Sequence, residues 1–92
     1  MMVAYHLSIT GRVQGVGFRA FVVAMAQAHG LRGWVRNRHD GSVEALLIGD
    51  SDAVTAAIDE CGHGPSLARV DRIEKLPASD DGSAGFTPRP TV

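Results

Sequence analysis

The chain opens on alternation: Val3, Tyr5, Leu7 and Ile9 are separated by Ala4, His6, Ser8 and Thr10, the period-2 pattern of a strand with one buried face. Gly11-Arg12-Val13-Gln14-Gly15-Val16-Gly17 follows, and its three glycines predict a loop with wide backbone freedom. Phe18, Phe21, Val22, Met25 and His29 then recur at helical spacing, with Gly30 placed as a C-terminal stop. This helix has little polar surface, which predicts that it packs flat on a sheet. Residues 34–37 and 43–48 read as two strands, joined by the turn chemistry of Arg38-His39-Asp40-Gly41. Ser51 is placed to cap a second helix, whose stripe is Val54, Ala57, Ile58 and Cys61 and whose end is Gly62, Gly64 and Pro65. Residues 68–76 read as a fourth strand, bulged because Val70 and Ile73 break the alternation. Residues 77–85 form a polar surface connection, and 86–92 a weak last strand that Pro88 and Pro90 confine to an edge.

The order is therefore β-α-β-β-α-β with a weak extra strand. This predicts one α+β domain over residues 1–92, a ferredoxin-like sandwich. Two helices pack on one face of a mostly antiparallel sheet of four to five strands. The first two strands are joined through a helix and should run parallel. The loop 11–17 and Asn37 then meet at one edge, although twenty residues of sequence part them.

Composition narrows the chemistry. Ninety-two residues, 45% hydrophobic and 21% charged, suit one ordinary globular domain. The net charge of −1 hides a split: residues 1–39 hold five arginines and no acid, whereas residues 40–92 hold four basic and ten acidic residues. Whatever anion the chain handles, the first half is where to look. No stretch reaches the roughly 18 apolar residues of a membrane span. Met1–Thr10 lacks the charged region of a secretory leader, so a cytoplasmic location is expected. One cysteine excludes an internal disulfide, and four scattered histidines lack the paired spacings of a zinc site, so no metal is expected.

A glycine-rich turn feeding a helix exposes several backbone N–H groups to one point, an anion nest. Arg19 lies in the first turn of that helix, and helical side chains lean toward the N-terminus, back over the nest. Backbone donors with a fork-shaped cation suit a tetrahedral phosphate. Asn37 offers a donor and an acceptor without charge, so it can hold a water beside that phosphate without taking its proton. No Ser-His-Asp set, Cys-His pair or carboxylate dyad lies near this edge. Catalysis there would rest on positioning and electrostatics.

In two runs of residues the chain resembles the acylphosphatase family. Gly11-Arg12-Val13-Gln14-Gly15-Val16-Gly17-Phe18-Arg19 is similar to the family's first signature. Gly33-Trp34-Val35-Arg36-Asn37, followed by Gly41, Val43 and Gly49, is similar to the second, with every spacing kept. The resemblance spans about the whole chain and implies hydrolysis of a carboxyl–phosphate anhydride to a carboxylate and inorganic phosphate. It implies that Arg19 binds the phosphoryl group together with the loop Arg12, Val13, Gln14, Gly15, Val16 and Gly17. Asn37 would orient the attacking water, and Ser42 would support the loop or Asn37. It implies no cofactor, no metal and no covalent intermediate. The expected partner is a small acyl phosphate, with inorganic phosphate as product and inhibitor, and no nucleic acid or membrane. A monomer is expected. The chain departs from the family in its tail, where only Phe86 and Val92 remain around two prolines.

Other readings of the same residues stay open. RNA-recognition modules share the βαββαβ order, but they stack bases on strand aromatics, and here strand 1 offers only Tyr5 and residues 42–48 none. A non-catalytic acyl-phosphate-binding domain would keep the same motifs. His39 is expected to be solvated and Cys61 to be a core residue. Trp34 is expected to pack on the sheet or a helix, and Arg36 to point away from Asn37 by alternation. Gly11, Gly33, Gly41 and Gly49 are expected to serve backbone geometry.

Overall fold

The computed structural model describes residues 1–92. Seven elements follow in order: β1 (Met2–Arg12), α1 (Phe18–Ala28), β2 (Arg32–Asn37), β3 (Val43–Asp50), α2 (Ser51–His63), β4 (Arg69–Pro77) and β5 (Phe86–Pro88). They form one sheet in the order β4-β1-β3-β2-β5. β3 pairs antiparallel with both β1 and β2, which makes β1 and β2 parallel, as the connecting helix requires.

Alternation decides the two faces. Leu7, Ile9, Val35, Val43, Ala45 and Leu47 turn to one side, where they meet Phe18, Val22 and Met25 of α1 and Val54, Ala57 and Cys61 of α2. Helix α1 rides over β2 and β5, and α2 over β3 and β4. Phe18, Val22, Ala26, Leu7, Ile9 and Leu47 are at most 1% exposed. At about 25 cal/mol per Å² of apolar surface removed from water, this layer supplies the main driving force of folding. On the opposite face Trp34, Leu46 and Ile48 form a second, smaller cluster that no helix covers.

Local chemistry explains the element ends. Helix α1 stops where Gly30 takes a left-handed φ of 69°, and the Gly30 and Leu31 N–H groups return to the carbonyls of Gln27 and Ala26. The cap of α2 is Asp50, not Ser51: the Asp50 carboxylate accepts from the Asp52 N–H at 3.2 Å, and Ser51 is the first helical residue. Both residue types cap well, and the last residue of β3 reaches the orphan donors first. The bulge lies where the broken alternation placed it. Thr10 faces Arg72 and Gly11 faces Val70, which leaves Asp71 as the extra residue of β4. Gly11 has its reason there, since a Cβ would sit 2.1 Å from the Arg69 carbonyl oxygen.

The last strand is shorter than the expected 86–92, because Pro88 and Pro90 cannot donate to a ladder. β5 is a three-residue edge strand parallel to β2. The tail beyond it stays alongside β2: the Arg89 N–H donates to the Val35 carbonyl, Val92 N–H to Asn37, and His39 N–H to Val92. The connection 77–85 is pinned rather than loose. Arg32 grips the Asp80 carboxylate, and the Trp34 indole N–H donates to Asp81 at 3.2 Å. No helix is long and apolar enough to cross a membrane.

Candidate active site

The parallel run of β1 and β2 brings their C-terminal ends to one end of the sheet. There a cavity of about 190 Å³ is lined by Val13, Gly15, Gly17, Phe18, Arg19, Ala20 and Asn37. Two segments about twenty residues apart in sequence thus share one wall.

The loop owes its shape to Gly15 and Gly17. Both hold left-handed φ, 71° and 79°, which a side chain adopts only with strain. A Cβ at either would meet nothing within 4 Å, so conformation rather than space demands glycine here. The N–H groups of Gln14, Gly15, Val16 and Gly17 donate to no backbone carbonyl. Gly17 caps α1 without any side-chain hydrogen bond, and the first turn holds no acid. The positive end of the helix and its uncompensated donors therefore face the cavity region.

The other loop residues have distinct places. Arg12 ends β1 opposite Arg69 and does not line the cavity. Val13 is buried and Val16 packs against the main core. Gln14 reaches across to the β2–β3 turn, where its side-chain amide donates to the Arg38 carbonyl at 2.7 Å and the Ser42 carbonyl at 2.8 Å. Ser42 thus holds the loop through its backbone. Its hydroxyl turns to Asp40 at 2.6 Å and makes no bond to Asn37. The Ser42 hydroxyl and N–H together draw the Asp40 carboxyl below its usual range.

Asn37 sits on the helix-facing side of β2, in phase with Val35. Its Oδ1 is buried and has no hydrogen-bond partner in the protein. Such an acceptor is costly to leave empty, about 1–3 kcal/mol, unless something outside the protein donates to it. Arg19 is exposed and forms no ion pair with any carboxylate.

The remaining arginines are engaged elsewhere. Arg36 points away from Asn37 to the far face, where its Nε donates to Glu44. Arg38 Nη2 donates to the same carboxylate at 2.5 Å, and His6 Nε2 lies 2.6 Å from it. Burial by itself would raise the Glu44 carboxyl; the donors Arg38, Arg36 and His6 outweigh it and hold it at about 2. The guanidiniums of Arg36 and Arg89 lie over the Trp34 ring, 4.7 and 4.9 Å from its centre. It is 7% exposed and packs on the sheet, with no helix above it. Tyr5 packs toward the helices. Neither ring offers a stacking platform.

His39 is exposed, as its turn position suggested. Cys61 is fully buried, and burial, with the Glu60 charge adding, pushes its thiol up to about 12. It is a core residue and no nucleophile. A larger hollow of about 340 Å³ lies between the start of β1 and the end of β4, lined by Met2, Ala4, Ile48, Pro77 and Asp80. Its one charge is negative, which suits no anion.

An α+β sandwich whose loop-to-helix turn carries uncompensated N–H donors and an unpaired arginine, faced by an asparagine across the sheet end, has the geometry of a small anion-binding domain. The acylphosphatase family profile matches residues 5–88. The acylphosphatase of Acidiphilium cryptum (strain JF-5) is 48% identical over 90 residues, covering 98% of this chain and 99% of that relative. The acylphosphatase of Rhodopseudomonas palustris (strain BisB18) is 53% identical over 76 residues, 83% of this chain and 77% of the relative. The crystal structure of acylphosphatase from Bacillus subtilis superposes with a TM-score of 0.92 at 37% identity, covering 97% of this chain and 99% of that one. The chain belongs to the acylphosphatase family. It is an enzyme that hydrolyses acyl phosphates, with the ferredoxin-like α+β fold.

Proposed function

We propose that Arg19 and the loop Arg12–Gly17 hold the phosphoryl group of an acyl phosphate, and that Asn37 aims the attacking water. The buried, unpartnered Oδ1 of Asn37, in the wall that also contains Arg19, carries this reading. The free N–H groups of Gln14–Gly17 add donors for the equatorial oxygens, where charge gathers in the transition state. The Arg19 fork adds two parallel hydrogen bonds and a charge that no carboxylate neutralises.

The Oδ1 accepts one O–H of the water and leaves an oxygen lone pair free to face phosphorus. Attack forms the new P–O bond as the bond to the bridging oxygen breaks, and the carboxylate leaves with the bonding pair. The water's proton passes to an oxygen of the phosphoryl group, which departs as inorganic phosphate. Arg12 contributes through charge, since it ends β1 outside the cavity wall. Ser42 supports the loop through its carbonyl, which receives Gln14. Every role is filled by an amide, a guanidinium or a carboxamide, so the reaction needs no metal. We take the chain to act as a cytoplasmic monomer of one domain over residues 1–92. Inorganic phosphate, as product, competes for the same donors.

The test is hydrolysis of benzoyl phosphate with a chelator present, for the parent and for Asn37→Ala. The expected result is turnover that survives chelation in the parent and collapses in the variant. A rate that needs a divalent ion, or an Asn37→Ala enzyme as fast as the parent, overturns the assignment.

A further inference from the structure

Beside the phosphate cavity runs a second hollow of about 530 Å³, lined by Arg19, Ala20, Val23, Ala24, Gln27 and Pro88. The two hollows share Arg19 and Ala20, so an anion held at Arg19 has this groove as its neighbour. Ala20, Val23, Ala24 and Gln27 fall at i, i+3, i+4 and i+7, one stripe along α1. Ala20 and Ala24 are exposed and Val23 is half-buried.

A helix stripe in water ordinarily carries charge, yet α1 has no acid in its first turn and no base in its last, and Arg19 is its one charged residue. The poverty of polar residues in this helix therefore has two causes. Its inner stripe packs on the sheet, and its outer stripe floors the groove. The facing wall is Pro88 of β5, whose ring carries no N–H to donate. At the far end the Gln27 side-chain amide donates to the Phe86 carbonyl at 3.3 Å, tying the end of α1 to β5. The groove thus has a small-residue apolar floor, no carboxylate, and no cation beyond Arg19 at its mouth.

We propose that this groove seats the acyl part of the substrate and selects an uncharged apolar or aromatic acyl group. The inference rests on the reading of Arg19 as the phosphoryl ligand. In an acyl phosphate one bridging oxygen joins carbonyl carbon to phosphorus, so the acyl group must lie in whatever space adjoins the phosphate. An acyl group bearing a carboxylate finds no countercharge along the stripe, and a charged group is costly to desolvate without one. A cationic one meets Arg19. The Ala20 and Ala24 side chains end at the β-carbon, so α1 leaves the floor of the groove unfilled.

The experiment uses two inert carbon-bridged analogues, phenacylphosphonate and acetonylphosphonate, with inorganic phosphate as the third inhibitor of acetyl phosphate hydrolysis. In the parent, phenacylphosphonate is expected to bind about tenfold more tightly than acetonylphosphonate, the effect of a partly buried ring. Ala24→Trp fills the groove and should cut that preference below about threefold, with inhibition by inorganic phosphate unchanged. The preference is a ratio within one preparation, so a partly folded sample does not distort it. Ala24→Leu serves where the Trp variant does not fold. Equal binding of the two phosphonates to the parent, with phosphate still competing, overturns the groove alone. A preference that survives in the filled variants does the same. If none of the three anions competes, the Arg19 reading fails first and the groove with it.

Discussion

The far face of β2 holds Arg36, which shares Glu44 with Arg38 and His6, so every charge there has a partner. The helix-facing side, one residue along the strand, holds Asn37 with an acceptor that nothing in the protein meets. Arg19 beside it has no carboxylate at all. Both sides carry arginine, and they differ in whether it is paired. Paired groups keep the sheet in register, whereas groups left unpaired wait for something outside the chain. A count of five arginines in residues 1–39 is thus a poor guide to function, because three of them are bound to Glu44 or Asp80.

The comparison breaks most sharply at Asn37. Asn37→Ala is expected to lower kcat by about a thousandfold while the melting temperature holds, since the amide supports no fold contact. Steady-state kinetics beside a thermal melt check both halves, and a variant that melts early would move Asn37 to the structural side. Next in size, Arg19→Lys keeps the charge and loses the fork. The inhibition constant for inorganic phosphate should rise about thirtyfold. An unchanged constant removes Arg19 from the cradle.

Glu44→Gln probes the other face and should show the reverse signature. Stability falls by about 2 kcal/mol because Arg36 and Arg38 lose their shared carboxylate, while kcat/KM stays within about threefold. This residue also sets an acid limit. Its carboxyl is held at about 2 in the folded chain against an ordinary value of 4.5, so the folded state binds its proton less readily. That contribution to stability is full above pH 4.5 and drains away as pH falls toward 2. Denaturant melts between pH 6 and 3 should show the parent losing stability faster than Glu44→Gln. Parallel slopes would dismiss Glu44 as the source. The smallest effect belongs to Gly15→Ala, where a Cβ has room but φ is left-handed. About 1 kcal/mol of strain is expected, read as weaker phosphate inhibition or a lower melting point.

Much of the fold was legible in the pattern of side chains. Leu7 and Ile9, Phe18 and Val22, Val54 and Cys61 all lie on the faces their periods assign, because a buried face leaves a period that survives in one dimension. The candidate site was legible too, since Gly11–Arg19 is one continuous run and the parallel order of β1 and β2 carries Asn37 to it. The cap of α2 was misplaced by one residue, because Asp50 and Ser51 are both good caps and only the exit of β3 chooses between them.

What composition and spacing determined is where an anion could be held and by which residue types. What only the tertiary structure decided is which charges are free to hold it. Glu44 faces Arg36 across two strands, and Asp80 and Asp81 reach Arg32 and Trp34 from a segment that reads as bare connection. Such pairings depend on strand register and on the path of a long loop, and neither leaves a period in the sequence. The apolar stripe Ala20, Val23 and Ala24 was likewise visible as a lack of polar residues. That it borders the cavity at the loop-to-helix turn follows from Arg19 and Ala20, which line both hollows, while β5 supplies Pro88 as the facing wall.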